Sequence, residues 1–201
     1  MRPQQTLQQE SLDVTAESSR CDAKLIDAAR RGAEDAFRSL VQKYERRLRS
    51  VVQRFVHDAD QVDDLMQETF LRVYQSLHQF DTSRRFAPWL FQVGVNITLD
   101  FLRRKKRRIW GRLFSQGTSE TDYDPPQADP NVQQDLQQEV RAVLQQVPEK
   151  FRTVVILRDL ENFSTSEIAT ILKRKEATIR WRLAEGRLHF QHLWTQRQHD
   201  S

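Results

Sequence analysis

The 201-residue sequence has one cysteine, five glycines and six prolines. The single cysteine, Cys21, excludes an internal disulfide and gives no indication of an oxidising compartment. No apolar run reaches the roughly 18 residues that a membrane-spanning helix needs, and residues 1–10 lack the apolar core of a secretory signal. Few glycines and little strand-like alternation favour an all-α fold. These absences predict a helical protein of the cytoplasm.

The sequence also lacks a recognisable catalytic centre. It has no glycine-rich phosphate loop and no nucleophile motif. His189 and His192 lie three residues apart, but no third ligand accompanies them and Cys21 has no metal-ligand spacing to any histidine. We therefore predict a protein with no metal and no cofactor, and not an enzyme. The remaining histidines are His57, His78 and His199.

Charge is sorted along the chain rather than spread evenly. The net charge is +4, yet residues 101–112 contain seven basic residues and no acid. Residues 113–140 contain six acids and no basic residue. Such sorting predicts a polyanionic partner for part of the chain.

The stretch 60–108 predicts two helices joined by a polar turn. In its first half, apolar residues recur at three- and four-residue spacing, which predicts one buried stripe, and Asp60 is placed to cap the helix. The residues off this stripe are Asp64, Gln67, Glu68 and Leu71. They form one face, polar except for Leu71, that is available to a partner.

The second half of this stretch carries basic and aromatic side chains. The turn at 80–86 contains Arg84 and Arg85, and Pro88 fits the first turn of the following helix. An indole and a carboxamide beside arginines can stack on and hydrogen-bond to unpaired bases. The outer residues are Trp89, Asn96, Arg103 and Arg104. Taken singly, each also fits a half-buried or solvated helix face.

Composition divides the chain into four parts. Residues 1–21 are rich in Gln, Ser and Thr and predict a disordered tail. A first helical module is predicted over 22–110, with helices at 22–31 and 33–56 before the stretch described above. Residues 111–131, with Gly, Ser, paired prolines and acids, predict a flexible linker. A second helical module follows over 132–197.

The second module contains a helix-turn-helix pattern. Ser164 and Glu167 form a capping box, the segment 173–176 predicts a tight break, and a basic helix follows from about Ala177. The N-terminal turns of that helix would enter the major groove. The residues placed there are Thr178, Arg180, Trp181, Arg182 and Ala184.

The segments DDLMQETFLRVYQSLHQFD and FAPWLFQVGVNITLDFLRR resemble the core of a bacterial sigma-70 family factor, and the short chain resembles the extracytoplasmic-function type. STSEIATILKRKEATIRWRLAEGRLHF is similar to the module of that family that recognises the upstream (−35) promoter element. The family usually has Gly where Lys173 stands, a small residue at Ala177, and a basic residue where Glu185 stands. These departures concern which upstream element is bound more than the presence of the module.

The resemblance implies a function for each face. The residues Asp64, Gln67, Glu68 and Leu71 would bind the β and β′ subunits of core RNA polymerase. The downstream (−10) element would be bound by Arg84, Arg85, Trp89, Asn96, Arg103 and Arg104. The upstream element would be bound by Thr178, Arg180, Trp181, Arg182 and Ala184 of the last helix. The acidic linker would thread the polymerase cleft, and an anti-sigma factor is an expected partner. Two alternatives stay open: a stand-alone helix-turn-helix regulator, and a sigma-like decoy for an anti-sigma factor.

Overall fold

The computed structural model describes residues 3–115 and 132–199, and every regular element in these ranges is helical. The predicted all-α fold is therefore confirmed for this part of the chain, whereas residues 116–131 of the predicted linker lie outside it. The helices are α1 Pro3–Arg30, α2 Glu34–Gln53, α3 Ala59–Ser76, α4 Phe86–Ser115, α5 Val132–Gln146, α6 Glu149–Val155, α7 Thr165–Leu172 and α8 Glu176–His199. A 3₁₀ turn, Leu77–Gln79, follows α3, and a π-helical turn, Ile156–Leu160, extends α6.

Helices α1 to α4 form the first module around an aliphatic core. Leu40 and Leu48 on α2 meet Val62 on α3 and Leu90 on α4, and none of these side chains is more than 1% exposed. The three- and four-residue spacing of the apolar residues accounts for this packing, since it places them on one face of each helix. The module presents the outer face of α3 and the first turns of α4 at its surface.

Helix α1 is longer than the sequence predicted. It begins at Pro3, within the segment predicted to be a disordered tail, and not at Asp22. No Gly or Pro interrupts residues 4–31, and the helix is anchored to α2 because the buried Asp22 carboxylate accepts hydrogen bonds from Lys43 and Tyr44. Burial first, and then this hydrogen bond, raise the pKa of Tyr44.

The ends of α3 and α4 also differ from the predictions. The N-cap of α3 is Asp58, whose side chain accepts a hydrogen bond from the Gln61 backbone N–H at 3.0 Å, and Asp60 lies in the first turn. Both residues are carboxylates near the start of the helix, so the pattern alone did not separate them. Helix α4 runs to Ser115, into the segment predicted as linker, and this extension continues directly from the Arg- and Lys-rich run at 103–108, whose residues have high helix propensity.

Helices α5 to α8 form the second module. Its core contains Val143 of α5, Val154 of α6, Ile168 of α7 and Ile179 of α8, all fully buried. Helices α6 and α8 approach closely at Gly186, where an added Cβ would lie 2.7 Å from Val155 Cγ2. This contact positions α8 on the module.

Candidate nucleic-acid interface

The turn before α4 presents the first pair of predicted DNA-binding arginines. The Asp81 side chain accepts a hydrogen bond from the Ser83 backbone N–H at 2.9 Å, which stabilises the turn. Hydrogen bonding from Ser83 also lowers the pKa of Asp81. Arg84 and Arg85 follow directly and are exposed. The turn therefore holds two cations at the edge of the first module.

Beside these arginines lies a pocket of about 400 Å³ with an aromatic wall. The Trp89 ring is half-buried and packs on Phe80 at 4.9 Å and on Phe86 at 5.7 Å between ring centroids. The sequence allows Trp89 either to stack on a base or to be a half-buried residue of the helix. Its ring packs at the edge of the core and also lines the pocket, so the position is compatible with both. The first-module wall of the pocket has aromatic and cationic side chains of the kind that hold an unpaired base, while Glu167 and Thr170 of α7 line its other side.

Farther along α4, Asn96 is half-buried, whereas Arg103 and Arg104 are exposed. Arg103 pairs with Asp100 at 2.9 Å, a surface pair that a phosphate group can displace at low cost. Helix α4 packs closely against α2 at Gly94, because this residue has no Cβ. An added Cβ would lie only 2.9 Å from Leu48 Cδ1. The structure thus aligns the predicted residues from Arg84 to Arg104 along one helix and the turn before it.

The helix-turn-helix geometry is confirmed in the second module. Ser164 and Glu167 form the complete capping box that begins α7. Lys173, where the resembled family usually has Gly, adopts the left-handed conformation with φ 51°. Glu176 then ties the two helices together, since its carboxylate accepts hydrogen bonds from Thr165 at 2.6 Å and Arg180 at 2.8 Å. These two hydrogen bonds lower the pKa of Glu176.

The five predicted recognition residues do not all face solvent. Arg180 and Ala184 are exposed, while Thr178 is half-buried. Trp181 is 53% exposed and packs edge-on against Phe151 at 5.6 Å. Arg182 is half-buried and its Nε is buried without a partner. Its place beside the buried face of α8 makes Arg182 less accessible to DNA than the sequence suggested, because the helical pattern could not locate the edge of the core.

The outer face of α3 is exposed as predicted. Asp64, Gln67, Glu68 and Leu71 are all solvent-accessible, and Leu71 is 54% exposed. The structure adds Tyr74, which is 48% exposed and stacks edge-on against Phe37 at 4.9 Å. The sequence signal for Tyr74 was its spacing of three residues from Leu71. Two exposed apolar side chains bordered by acids are suited to a protein contact.

The two modules also pack against each other, which the sequence analysis missed. Phe91 of α4 and Phe163, in the turn before α7, are both at most 1% exposed and lie 5.0 Å apart between ring centroids. The Arg47 guanidinium lies over both rings, at 5.1 and 4.9 Å, and pairs with Glu161 at 2.7 Å. We refer to this contact, formed by Arg47, Phe91, Glu161 and Phe163, as the module seam. The only sequence signal was that Phe91 and Val95 are apolar outside the predicted inner face of α4.

Comparison with known proteins agrees with this organisation. Residues 40–108 match the family model described as Sigma-70 region 2, and residues 137–190 match that described as Sigma-70, region 4. The chain is 29% identical over 171 residues to the ECF RNA polymerase sigma factor SigW of Bacillus subtilis, with 82% of this chain and 91% of that protein covered. It is also 29% identical over 174 residues to the RNA polymerase sigma-H factor of Pseudomonas aeruginosa, with 83% and 90% covered.

Solved structures share the fold. The structure of CnrH in complex with the cytosolic domain of CnrY superposes with a TM-score of 0.65 at 23% identity, covering 86% of this chain and 96% of that one. The sigma factor RpoE of Bartonella quintana, in complex with the anti-sigma factor NepR, gives a TM-score of 0.64 at 21% identity, covering 79% and 96%.

The two family models, one matched in each helical module, define a protein that initiates transcription with RNA polymerase. The chain belongs to the sigma-70 family and is a sigma factor of its extracytoplasmic-function type. Its function is to direct core RNA polymerase to promoters as an alternative sigma factor. Within the described part of the chain, no helix is long and apolar enough to cross a bilayer, and no group of three or more potential metal ligands is present.

Proposed function

We propose that this sigma factor assigns polymerase binding, the downstream element and the upstream element to three separate surfaces. The observation that supports this division is the separation of its exposed clusters, one on each of α3, α4 and α8. Phosphate contacts would position each module, and a few base contacts would specify the promoter.

The proposed polymerase contact is the outer face of α3. Leu71 supplies an apolar centre, and Asp64, Gln67 and Glu68 supply a polar border. Glu68 pairs only with Arg72 of its own helix, at 2.6 Å, so the acidic border is not neutralised by another element within the described residues. Such a surface is suited to a basic, partly apolar helix of the polymerase.

The proposed downstream surface is the pocket beside α4. Trp89 would stack on a base of the opened strand and Asn96 would hydrogen-bond to another. Arg84 and Arg85 at the near end, and Arg103 and Arg104 at the far end, would hold the phosphates. Their order along one helix matches a single strand that runs parallel to α4.

The proposed upstream surface is the start of α8. Arg180 and Ala184 face outward, and Thr178 and Trp181 border them. Arg180 is suited to a bidentate contact with guanine, while Trp181 offers an apolar surface to a thymine methyl group. Arg182, half-buried, is assigned a phosphate contact at the edge of the groove.

We infer further that the chain acts in the cytoplasm, has no enzymatic activity of its own, needs no cofactor, and is controlled by an anti-sigma factor. The two structural relatives named above were solved as complexes with protein partners, one of them an anti-sigma factor. A partner that covers the three surfaces would stop both polymerase binding and promoter recognition.

Run-off transcription tests the function directly. Purified core polymerase, this protein and a pool of genomic promoter fragments should give discrete transcripts that depend on the protein, and their start sites define both promoter elements. Core binding without transcripts would indicate the decoy function. Tight DNA binding without core binding would indicate a stand-alone regulator.

Charge reversal on α3 tests the polymerase surface. Asp64→Arg together with Glu68→Arg should weaken association with core polymerase by about 1–4 kcal/mol, since interface charges determine both partner choice and association rate. Titration of labelled core polymerase measures the effect. The control variant reverses Asp35, an exposed acid at the start of α2. Unchanged core affinity in the α3 variant would exclude this face as the polymerase contact.

A further inference from the structure

Two hydrogen-bond donors of the proposed downstream surface are already paired with residues of the second module. Arg85 pairs with the Glu167 carboxylate, and Gln92 Nε2 donates to the Thr170 carbonyl oxygen at 3.1 Å. Glu167 and Thr170 both lie on α7 and line the same pocket as Trp89. Helix α7 therefore presents a carboxylate and a carbonyl oxygen where a DNA strand would present phosphate and base acceptors.

The module seam holds α7 in this place. The Glu161 side chain is only 7% exposed and pairs with Arg47 of the other module, while the Glu161 backbone carbonyl accepts a second hydrogen bond from the same guanidinium. Phe91 and Phe163 are buried on the other side of Arg47. Replacement of one partner of this pair would leave the other charge unpaired and partly desolvated, so a substitution at either residue should weaken the contact between the modules.

We propose that α7 of the second module is an internal competitor of the single-stranded downstream element for the surface of the first module. The inference rests on the proposed function of the pocket beside α4. In the closed arrangement, Glu167 occupies Arg85 and α7 lines one side of the pocket. The strand enters once the seam opens and Arg85 exchanges a carboxylate for a phosphate.

This competition has a quantitative consequence. The apparent affinity of the free chain for a single strand is its intrinsic affinity multiplied by the fraction of open molecules. A chain that is closed nine times in ten thus binds about tenfold more weakly than an open one. Arg180 and Ala184 on α8 stay exposed in the closed arrangement, so duplex binding by the second module is not reduced.

Glu161→Arg is the variant that opens the seam, since it places a second cation against Arg47. Module separation is measured by energy transfer between dyes on Cys21, the only cysteine, and on a cysteine introduced by His192→Cys on α8. Strand binding is measured with a fluorescent single-stranded oligonucleotide of random sequence. We expect lower energy transfer and about tenfold tighter strand binding.

Three further variants make the test specific. The exchange Arg47→Glu with Glu161→Arg restores an ion pair at the seam and should restore both readings. Asp159→Arg makes the same charge change two residues away, but its partner Arg187 lies in the same module, so neither reading should change. Glu167→Gln keeps an N3 acceptor for the capping box while it releases Arg85, and should tighten strand binding with energy transfer largely retained.

Two results would overturn the proposal. One is unchanged energy transfer and unchanged strand binding in Glu161→Arg. The other is a loss of energy transfer in Glu161→Arg while its affinity for the strand is no higher than that of Asp159→Arg. That result would show that the closed modules do not cover the surface that binds the strand. Run-off transcription separates this outcome from the function itself. If promoters are transcribed normally, the sigma function stands even when the competition is overturned. If Glu161→Arg changes both readings but no transcripts are made, the result contradicts the function and not the competition.

Discussion

The two proposed DNA-binding surfaces use similar residues but differ in what covers them. On α4, Trp89 lies against Phe80, and the adjacent Arg85 is paired with a residue of the other module. On α8, Trp181 also lies against a phenylalanine, yet it is 53% exposed, and the adjacent Arg180 is paired only within its own helix. The accessibility of a DNA-binding surface is thus set by its neighbours and not by its own sequence.

The cost of using each surface differs for the same reason. Arg180 can exchange its exposed partner Glu176 for DNA at little cost, since surface pairs contribute about 0–1 kcal/mol. Arg85 must first lose Glu167, and in the proposed competition that exchange is coupled to the half-buried Arg47–Glu161 pair of the module seam. The upstream surface is therefore ready in the free chain, while the downstream surface depends on separation of the modules.

The largest expected effect on promoter binding is at the proposed upstream surface on α8. Arg180→Ala should weaken use of the upstream element by about 1–3 kcal/mol if the side chain contacts a base. Transcription from promoters with and without that element measures the effect. Arg38→Ala, which removes an exposed arginine of the first module, is the control. An equal loss on promoters that lack the upstream element would show that Arg180 does not recognise it.

A second prediction compares Gly94 and Gly186, the glycines at which α4 and α8 pack closely against neighbouring helices. Gly186→Ala should lower the free energy of unfolding by about 1–2 kcal/mol, because overpacking exceeds the gain in helix propensity. The added Cβ would meet Val155 Cγ2 at 2.7 Å and the Phe151 carbonyl oxygen at 3.2 Å. Gly94→Ala meets the end of the Leu48 side chain at 2.9 Å, which can shift, and Thr69 Cγ2 at 3.2 Å, but it meets no backbone atom of another element within this distance.

We therefore expect Gly94→Ala to change stability by no more than about 0.5 kcal/mol, because the steric cost and the helix gain nearly cancel. Urea unfolding midpoints measure both variants. A larger loss in Gly94→Ala than in Gly186→Ala would contradict the view that a backbone carbonyl and a contact at 2.7 Å yield less than the end of a leucine side chain.

The smallest expected effect is a pH dependence where the modules meet. Burial first, and then the charges of Arg141, Arg152 and Lys105, lower the pKa of His57. In the neutral form, its Nδ1 accepts a hydrogen bond from Arg141 at 3.3 Å, and Arg141 also donates to the Gln53 carbonyl oxygen at 2.7 Å. Protonation of His57 would place another positive charge in this cluster.

Because the folded-state pKa of His57 lies below its unfolded value of about 6.5, its contribution to stability is present above that pH. It is lost as the pH falls through the folded-state pKa. Because the His57 side chain is partly in solvent, we expect a small loss of stability on acidification, measured as a shift in the urea midpoint. His57→Gln should remove the shift, whereas His78→Gln, at a position that contacts Gln79 of its own module, should not. An identical acid shift in both variants would assign it to other groups.

Most local features were predictable because their causes are local. The capping box at Ser164 and Glu167, the exposed face of α3 and the helix-turn-helix each depend on residues within a few turns of one another. Errors arose where several residues satisfy the same local rule. Asp58 and Asp60 are both suitable caps, and the actual cap is Asp58.

By itself, the sequence determined the all-α fold, the two modules and the family, because helical periodicity and motif spacing are properties of neighbouring residues. Only the tertiary structure decided that α4 is buried on a second side and that one of the two proposed DNA-binding surfaces is covered. Those contacts join residues far apart in the chain, such as Arg85 with Glu167, 82 positions on, and Arg47 with Glu161, 114 positions on. No periodic pattern specifies which distant side chain completes an ion pair or covers a ring, since that depends on how two separately folded surfaces fit together.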